Sequence, residues 1–463
     1  MAEEKQVAKL DYKKTFLIGF GFLTTAAWRL YNIKIPLVLY YFLPVFSWSD
    51  FIVGVVMVID NIIAIVLQPY FGSLSDRTKS KFGKRMPYIM IGIPAAVLAF
   101  VMMPFAPNVA VLLVLIFCFD LAMAFYRSPV VALMPDLTPS EVRAKGNAII
   151  NLMGGVGTIG SFLVGSVLLD YDPSGATAFS VVGIIMLVSL VIVVLTVNEQ
   201  KITAEMTAKY GADFASDRTS IKDFRVKDAE KVDAGVKKGI FQRIKESDTV
   251  MIFREKDKSA LFMLLAIFSW YMTINAVETF FSTYAVNILG ISPGGASTLM
   301  LITPVTFIVF AIPAGIISEK IGRRKTIKIG IVIILATIFM FIFVRDFTIL
   351  LSLFVIYGIA WSMMNINSIT VVWQLAPNGK IGAYTGVYYL FSEASAILSP
   401  VVVGFIFSLA YDVMGILRYT LLFPYAFGFL ILALIFMFKV KRGEVKLTAK
   451  EIDDLKRVYA GRS

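Results

Sequence analysis

Gly72-Ser73-Leu74-Ser75-Asp76-Arg77, followed at once by Thr78-Lys79-Ser80-Lys81-Phe82-Gly83-Lys84-Arg85, has a second copy in the chain. Gly315-Ile316-Ile317-Ser318-Glu319-Lys320 runs into Ile321-Gly322-Arg323-Arg324 about 240 residues later. In each copy an apolar stretch ends in a small residue, an acid and a base, and a glycine then precedes paired bases. A weaker echo sets Pro135-Asp136-Leu137 and Lys145-Gly146 against Leu375-Ala376-Pro377 and Lys380-Ile381-Gly382. Two copies at this separation make the chain a tandem of two similar halves.

Working outward, each copy closes an apolar run long enough to cross a bilayer, which takes about 20 residues of helix. Twelve such runs are read, at roughly 15–43, 51–74, 88–106, 110–133, 147–169, 177–197, 259–289, 296–318, 327–344, 347–371, 382–410 and 416–439. Basic residues fall on alternate loops. Lys5, Lys9, Lys13 and Lys14 precede the first span, Arg77 to Arg85 follow the second, Arg143 and Lys145 follow the fourth, and Lys320 to Lys328 follow the eighth. The opposite loops hold only Arg345 and Arg418, each at a span edge. By the positive-inside rule this places both termini in the cytoplasm of a multi-pass cell-membrane protein. The fold expected is all-α and integral to the membrane, with twelve transmembrane helices in two pseudo-symmetric six-helix bundles. Residues 1–197 form the first bundle, 198–258 a cytoplasmic middle loop, and 259–463 the second bundle with a cytoplasmic tail. Within the middle loop the start reads as a solvated linker. A helix lying at the membrane surface is expected from Gly239 through Ile244 and onward, and the charged tail is expected to be helical over Leu447–Tyr459.

Composition narrows the function. Hydrophobic residues make up 58% of the chain and charged residues 16%, which excludes a soluble core of this size. The net charge of +12 belongs to loops beside helix ends, so it marks topology and anionic headgroups rather than nucleic acid. There is no histidine and a single cysteine, Cys118, inside a span. General-base catalysis, thiolate metal sites and disulfides are therefore not expected, nor is any cofactor, and proton chemistry falls to carboxylates. Ionisable groups deep in a span cost at least about 2.5–3.5 kcal/mol on insertion scales and are functional candidates by default. Arg29, Asp60, Asp120, Arg127, Glu278 and Glu393 are such groups. Asp120, Arg127, Glu278 and Asp60 are the candidates for proton coupling, with Asp120 first. Asp60 is expected to face Arg29 from the neighbouring span. Asp120 and Arg127 lie about 10 Å apart along the helix axis, too far for direct bonding. For a polar solute the candidates are Trp28, Asn32, Asn61, Asn275, Trp361, Asn365, Tyr388 and Glu393, with Trp270, Asn367 and Tyr389 also near mid-membrane. The repeated loops supply a candidate cytoplasmic gate: Gly72, Asp76, Arg77, Gly83 and Arg85 in the first half, Glu319 and Arg323 in the second. The static alternative is that these residues only anchor topology.

Two parallel six-helix halves joined by a long loop resemble the plan of the major facilitator superfamily. Gln68-Pro69-x-x-Gly72-x-x-Ser75-Asp76-Arg77-x-x-Ser80-x-x-Gly83-Lys84-Arg85-x-Pro87-Tyr88-Ile89 is similar to the signature of sucrose-type sugar:proton symporters, in the glycoside–pentoside–hexuronide:cation symporter group. Trp28, Asn32 and Pro36, Asn275-Ala276-x-Glu278, Tyr357-Gly358-Ile359-Ala360-Trp361 and Tyr384-Thr385-Gly386 extend the resemblance over most of the chain. It implies a sugar or glycoside carried with a cation, usually a proton; apart from that resemblance, a monomer in contact with membrane lipid is expected. Melibiose-type members place paired acids for sodium where this chain has Ala64 and Gln68, so no metal site is expected. Sucrose-type members follow the acid at the Asp120 position with an arginine where this chain has Val131; Arg127 sits one turn earlier. Two other readings stay open: a carrier of an amphiphile such as a lysolipid, and a non-transporting membrane sensor.

Overall fold

The structure is a computed structural model that describes residues 10–43, 47–138, 142–210, 257–376 and 381–444. The expected helices at 239–244 and 447–459, and the bases Lys5, Lys9 and Lys380, lie outside the described residues.

The described residues are helical with short turns. The first span is α1 (Tyr12–Leu23), a 3-10 turn at Thr24–Ala26, and α2 (Ala27–Phe42). The second is α3 (Ser49–Val56) and α4 (Ile59–Arg77). The rest of the first half is α5 (Met86–Met102), α6 (Val109–Leu137), α7 (Arg143–Tyr171) and α8 (Ala176–Thr196), followed by a short α9 (Glu199–Tyr210). The second half holds α10 (Ser259–Asn287), α11 (Pro293–Ile321), α12 (Arg323–Phe343), α13 (Phe347–Leu375) and α14 (Ile381–Leu409). A turn of helix, α15 (Tyr411–Met414), leads to the last span, α16 (Leu422–Lys439). By length and composition eleven runs are apolar enough to cross a membrane, among them Ser49–Arg77, which joins α3 and α4, and Tyr411–Lys439, which joins α15 and α16. The first span, interrupted by the turn at Thr24–Ala26, is not among them.

Side chains end the helices where the sequence supplies them. Asn108 accepts from Val111 N at 3.0 Å, and Asp346 from Ile349 N at 2.9 Å. The first-span break has a local cause: the Thr24 and Thr25 hydroxyls donate to the carbonyls of Gly21 and Phe22, both at 2.7 Å, and draw the chain into a tighter turn. The second span is broken at Met57–Val58, which puts Asp60 in the first turn of α4, where the positive helix end favours a carboxylate. Both breaks lie mid-membrane beside the central cavity. Irregular backbone at that depth is tolerated where it faces a cavity rather than lipid.

The halves meet along α7 with α11, α3 with α14, and α2 with α10. At the end away from the basic loops the contact is close. A methyl group on Gly54 would strike the Pro400 carbonyl, and one on Gly404 the Asp50 carbonyl. Several bonds cross between the halves there, among them Ser297 Oγ donating to the Phe162 carbonyl at 2.7 Å. Arg418 Nε donates to Asp50 at 2.6 Å, with both side chains nearly inaccessible. Phe51 N donates to Ser408 at 3.0 Å. Asp170 accepts from Ser292 Oγ at 2.7 Å and Gly294 N at 2.8 Å, capping the N-terminus of α11 from the other half. At the basic end, the ion pairs found among the described residues each stay within one half.

Candidate functional site

Between the halves lies a polar cavity of two joined chambers that share Asn61, Asn275 and Ala396. The larger, about 480 Å³, lies toward the basic end, and the smaller, about 210 Å³, lies deeper. Asn365, Tyr388 and Glu393 line the larger one. Trp28, Arg29, Asn32, Asp60, Arg127 and Glu278 line the smaller. Spans from both halves therefore bring most of the sequence candidates to one place.

Arg29 corrects one expectation. Its guanidinium pairs with Glu278 on α10, across the interface, and not with Asp60. The sequence argument paired neighbours within a half, whereas the fold packs α2 against α10 of the other half. Asp60 and Glu393 keep their carboxylates within electrostatic reach of Arg127, which makes no hydrogen bond or ion pair among the described residues. Asp120 is buried behind this surface and lines neither chamber. Among the described residues both of its carboxylate oxygens, one oxygen of Asp60, the Tyr31 hydroxyl and the Trp28 indole nitrogen find no hydrogen-bond partner. Tyr31 stacks on Phe119 at 5.8 Å, and Trp28 meets Tyr31 edge-on at 5.8 Å. Asp120 and Asp60 both lie within electrostatic reach of the Tyr31 hydroxyl. Buried polar groups left without partners in an apolar setting cost free energy.

Three aromatic or amide candidates stand away from the solute space. Trp361 packs edge-on against Tyr271 at 5.6 Å and lines neither chamber. Trp270 is fully buried in the second half, and Asn367 is buried with its amide on the Met363 carbonyl at 2.8 Å. Sequence reasoning missed Tyr271 and Ser392, which line the larger chamber. A tyrosine four residues before Asn275, on the same helix face, was the available signal.

The repeated loops form two matching clusters at the basic end. In the first, buried Arg85 pairs with Asp76 and with Asp136 at 3.0 Å, and donates to the Gly72 carbonyl at 3.2 Å. Lys84 pairs with Asp136 at 2.7 Å. Arg77 is exposed with no bonded partner among the described residues. Gly72 packs against Ser128, where a side chain would not fit. Gly83 has φ +106°, a backbone that L side chains rarely adopt. Directly after it, Glu199 caps α5, accepting from Lys84 N and Arg85 N, both at 2.9 Å, and Met86 N at 3.2 Å. The linker expected at 198 onward thus begins as a docked helix. In the second cluster Gly322 has φ +96°, and Glu444, placed like Glu199 just beyond a half's last span, accepts from Arg324 N at 3.1 Å and pairs with Arg324 at 3.3 Å. Glu319 is exposed, and Arg323 lies beside the Gln374 amide. The base that corresponds to Arg85 is therefore Arg324 rather than Arg323.

Two helical halves around a polar midplane cavity, closed at one end by bonds between them, define a membrane carrier architecture. The chain belongs to the Major Facilitator Superfamily, which it matches over residues 17–400 and 259–458. A stretch of 127 residues is 29% identical to Sucrose transport protein SUC3 of Arabidopsis thaliana, covering 23% of this chain and 21% of that protein. Among solved structures, the nucleoside transporter NupG superposes with a TM-score of 0.64 at 15% identity over 93% of this chain and 100% of that one. A bacterial homolog of the human lysosomal transporter Spinster, inward-facing and occupied, gives 0.66 at 14% identity over 93% and 97%. At these identities the solved structures speak for the fold alone.

Proposed function

We propose that this protein is a sugar or glycoside:proton symporter of the cell membrane that works by alternating access, and is not an enzyme. The observation that carries the reading is the interface cavity, where the acids Asp60, Glu278 and Glu393 share one space with Asn61, Asn275, Asn365, Tyr271 and Tyr388. Amides and phenols suit solute hydroxyls, and carboxylates in a low dielectric suit a transported proton. With the basic loops and both termini in the cytoplasm, the bonds at the opposite end seal the extracellular side, so this state opens inward. Protonation of Glu278 would release Arg29 and remove a bond between the halves, which is how a proton can bias their rocking. Asp120, buried behind the cavity with no hydrogen-bond partner among the described residues, and Asp60, beside the cavity with one oxygen unbonded, are the acids that hold a proton while the site is closed. Asn-rich walls in the larger chamber weigh against an amphiphile carrier, for which an apolar lining would be needed. A monomer embedded in lipid completes the proposal, with no nucleic acid, metal or cofactor involved.

The test is transport in proteoliposomes. An inward proton gradient drives accumulation of the sugar above its external concentration. Asp120→Asn abolishes accumulation but keeps exchange of labelled for unlabelled sugar. Uptake that ignores both proton and sodium gradients refutes the coupling.

A further inference from the structure

We infer that Tyr271 is a positioning residue that sets which way the Asn365 amide faces the solute, and so determines how the site reads a solute hydroxyl. This rests on the reading of the cavity as a carbohydrate site. Tyr271 lines the larger chamber, and its hydroxyl accepts from Asn365 Nδ2 at 3.1 Å. The same hydroxyl meets Tyr388 Oη at 3.4 Å, and Tyr388 Oη meets Ser368 Oγ at 3.3 Å. Ser368 in turn donates to the backbone carbonyl of Asn365 at 2.7 Å. The Tyr271 carbonyl accepts from Asn275 Nδ2 at 2.8 Å. One residue of α10 therefore ties α13 and α14 together and touches both asparagines of the second-half wall.

An asparagine amide is nearly symmetric in shape and opposite in chemistry at its two ends, so its orientation is set by its partners. Because the Ser368 hydrogen goes to a backbone carbonyl, Tyr388 donates to Ser368 and Tyr271 to Tyr388; the Tyr271 oxygen is left to accept from Asn365 Nδ2, which leaves Oδ1 as the acceptor for the solute. An acceptor there bonds a free hydroxyl and leaves an ether or a methylated hydroxyl unmatched. Loss of the phenolic oxygen frees the amide to turn, and either solute is then served. Trp361, edge-on to the Tyr271 ring at 5.6 Å, holds the ring in place whether or not the hydroxyl is present.

The experiment uses full-length protein in detergent and a solute panel of mono- and disaccharides, their O-methyl derivatives, nucleosides and dipeptides, with binding read by thermal-shift titration. With Tyr271→Phe, affinity for the best solute falls by roughly two- to tenfold, the range of one hydrogen bond. Preference for the free hydroxyl over its O-methyl derivative narrows by a similar factor. In an Asn365→Ala background the same substitution changes affinity less than twofold, because the group through which it acts is gone. Equal losses in both backgrounds, or a preference untouched by Tyr271→Phe, overturn the inference. Protection by a nucleoside or dipeptide and by no sugar overturns the carbohydrate reading instead, and the same variant comparison then runs on that solute.

Discussion

Replacing Asp50 by asparagine removes the charge that holds Arg418 across the halves. In the present state Asp50 is fully buried and accepts from Arg418 at 2.6 Å and from the Tyr40 hydroxyl at 2.6 Å. The Arg418 side chain is 8% exposed and also donates to the Tyr419 hydroxyl at 2.8 Å. Breaking a buried pair by removing one partner costs about 3–5 kcal/mol, because the other charge is left uncompensated. The pair links α3 of one half to the segment before α16 of the other, so that cost falls on the state closed at this end and is relieved when the halves part there. Since about 1.4 kcal/mol is a factor of ten, 3 kcal/mol moves the equilibrium by about two decades toward the alternative state. The assay is labelling of Asn61→Cys by a membrane-impermeant maleimide, in protein whose native Cys118 is replaced by serine. Asp50→Asn raises labelling from the side away from the basic loops and lowers it from the basic side. The exchanged pair, Asp50→Arg with Arg418→Asp, moves labelling back toward the parent. Unchanged labelling, with a loss of thermal stability of the expected size, would show that the pair is a static strut and refute the reasoning.

Two further outcomes follow from groups outside the spans. Glu199→Ala leaves three backbone N–H groups at the start of α5 without their acceptor and destabilises the first half by about 1–2 kcal/mol; Glu444→Ala acts separately on the second half, and the two losses add in thermal unfolding of the double variant. Asp172 accepts from Ser174 and Thr177, and those hydrogen bonds hold its carboxyl well below the usual carboxylate range. A depressed value means that its contribution is whole above the ordinary carboxylate pKa and is lost only as pH falls through the lower folded value. Hydrogen exchange at residues 172–177 therefore stays slow at pH 4, and Asp172→Ala speeds it already at pH 7.

The span count, the two halves and the candidates that meet in the cavity were legible because apolar length and alternating basic loops are strong, local signals. The paired glycine–base motifs also marked the two loop clusters. What escaped was set by contacts between segments far apart in sequence. Nothing near Arg29 announces Glu278, some 250 residues away, because only the packing of α2 on α10 brings them together. Glu199 looked like the start of a charged linker, since its three backbone partners belong to a loop more than 100 residues earlier. Asp120 was placed by a family-like pattern at the right depth, but a pattern cannot say whether a side chain faces the cavity or the packing behind it. The break in the first span was visible only as two adjacent threonines, which are common in helices that do not break.

Glu199 and Glu444 fasten the stretch beyond each bundle's last crossing back onto that bundle's own loop. Each bundle therefore carries its own closing staple and borrows none from its sibling. A gene divided after codon 210 should yield two polypeptides that mature separately and reunite in the bilayer, whereas a cut before Glu199 would strip the first fragment of its staple.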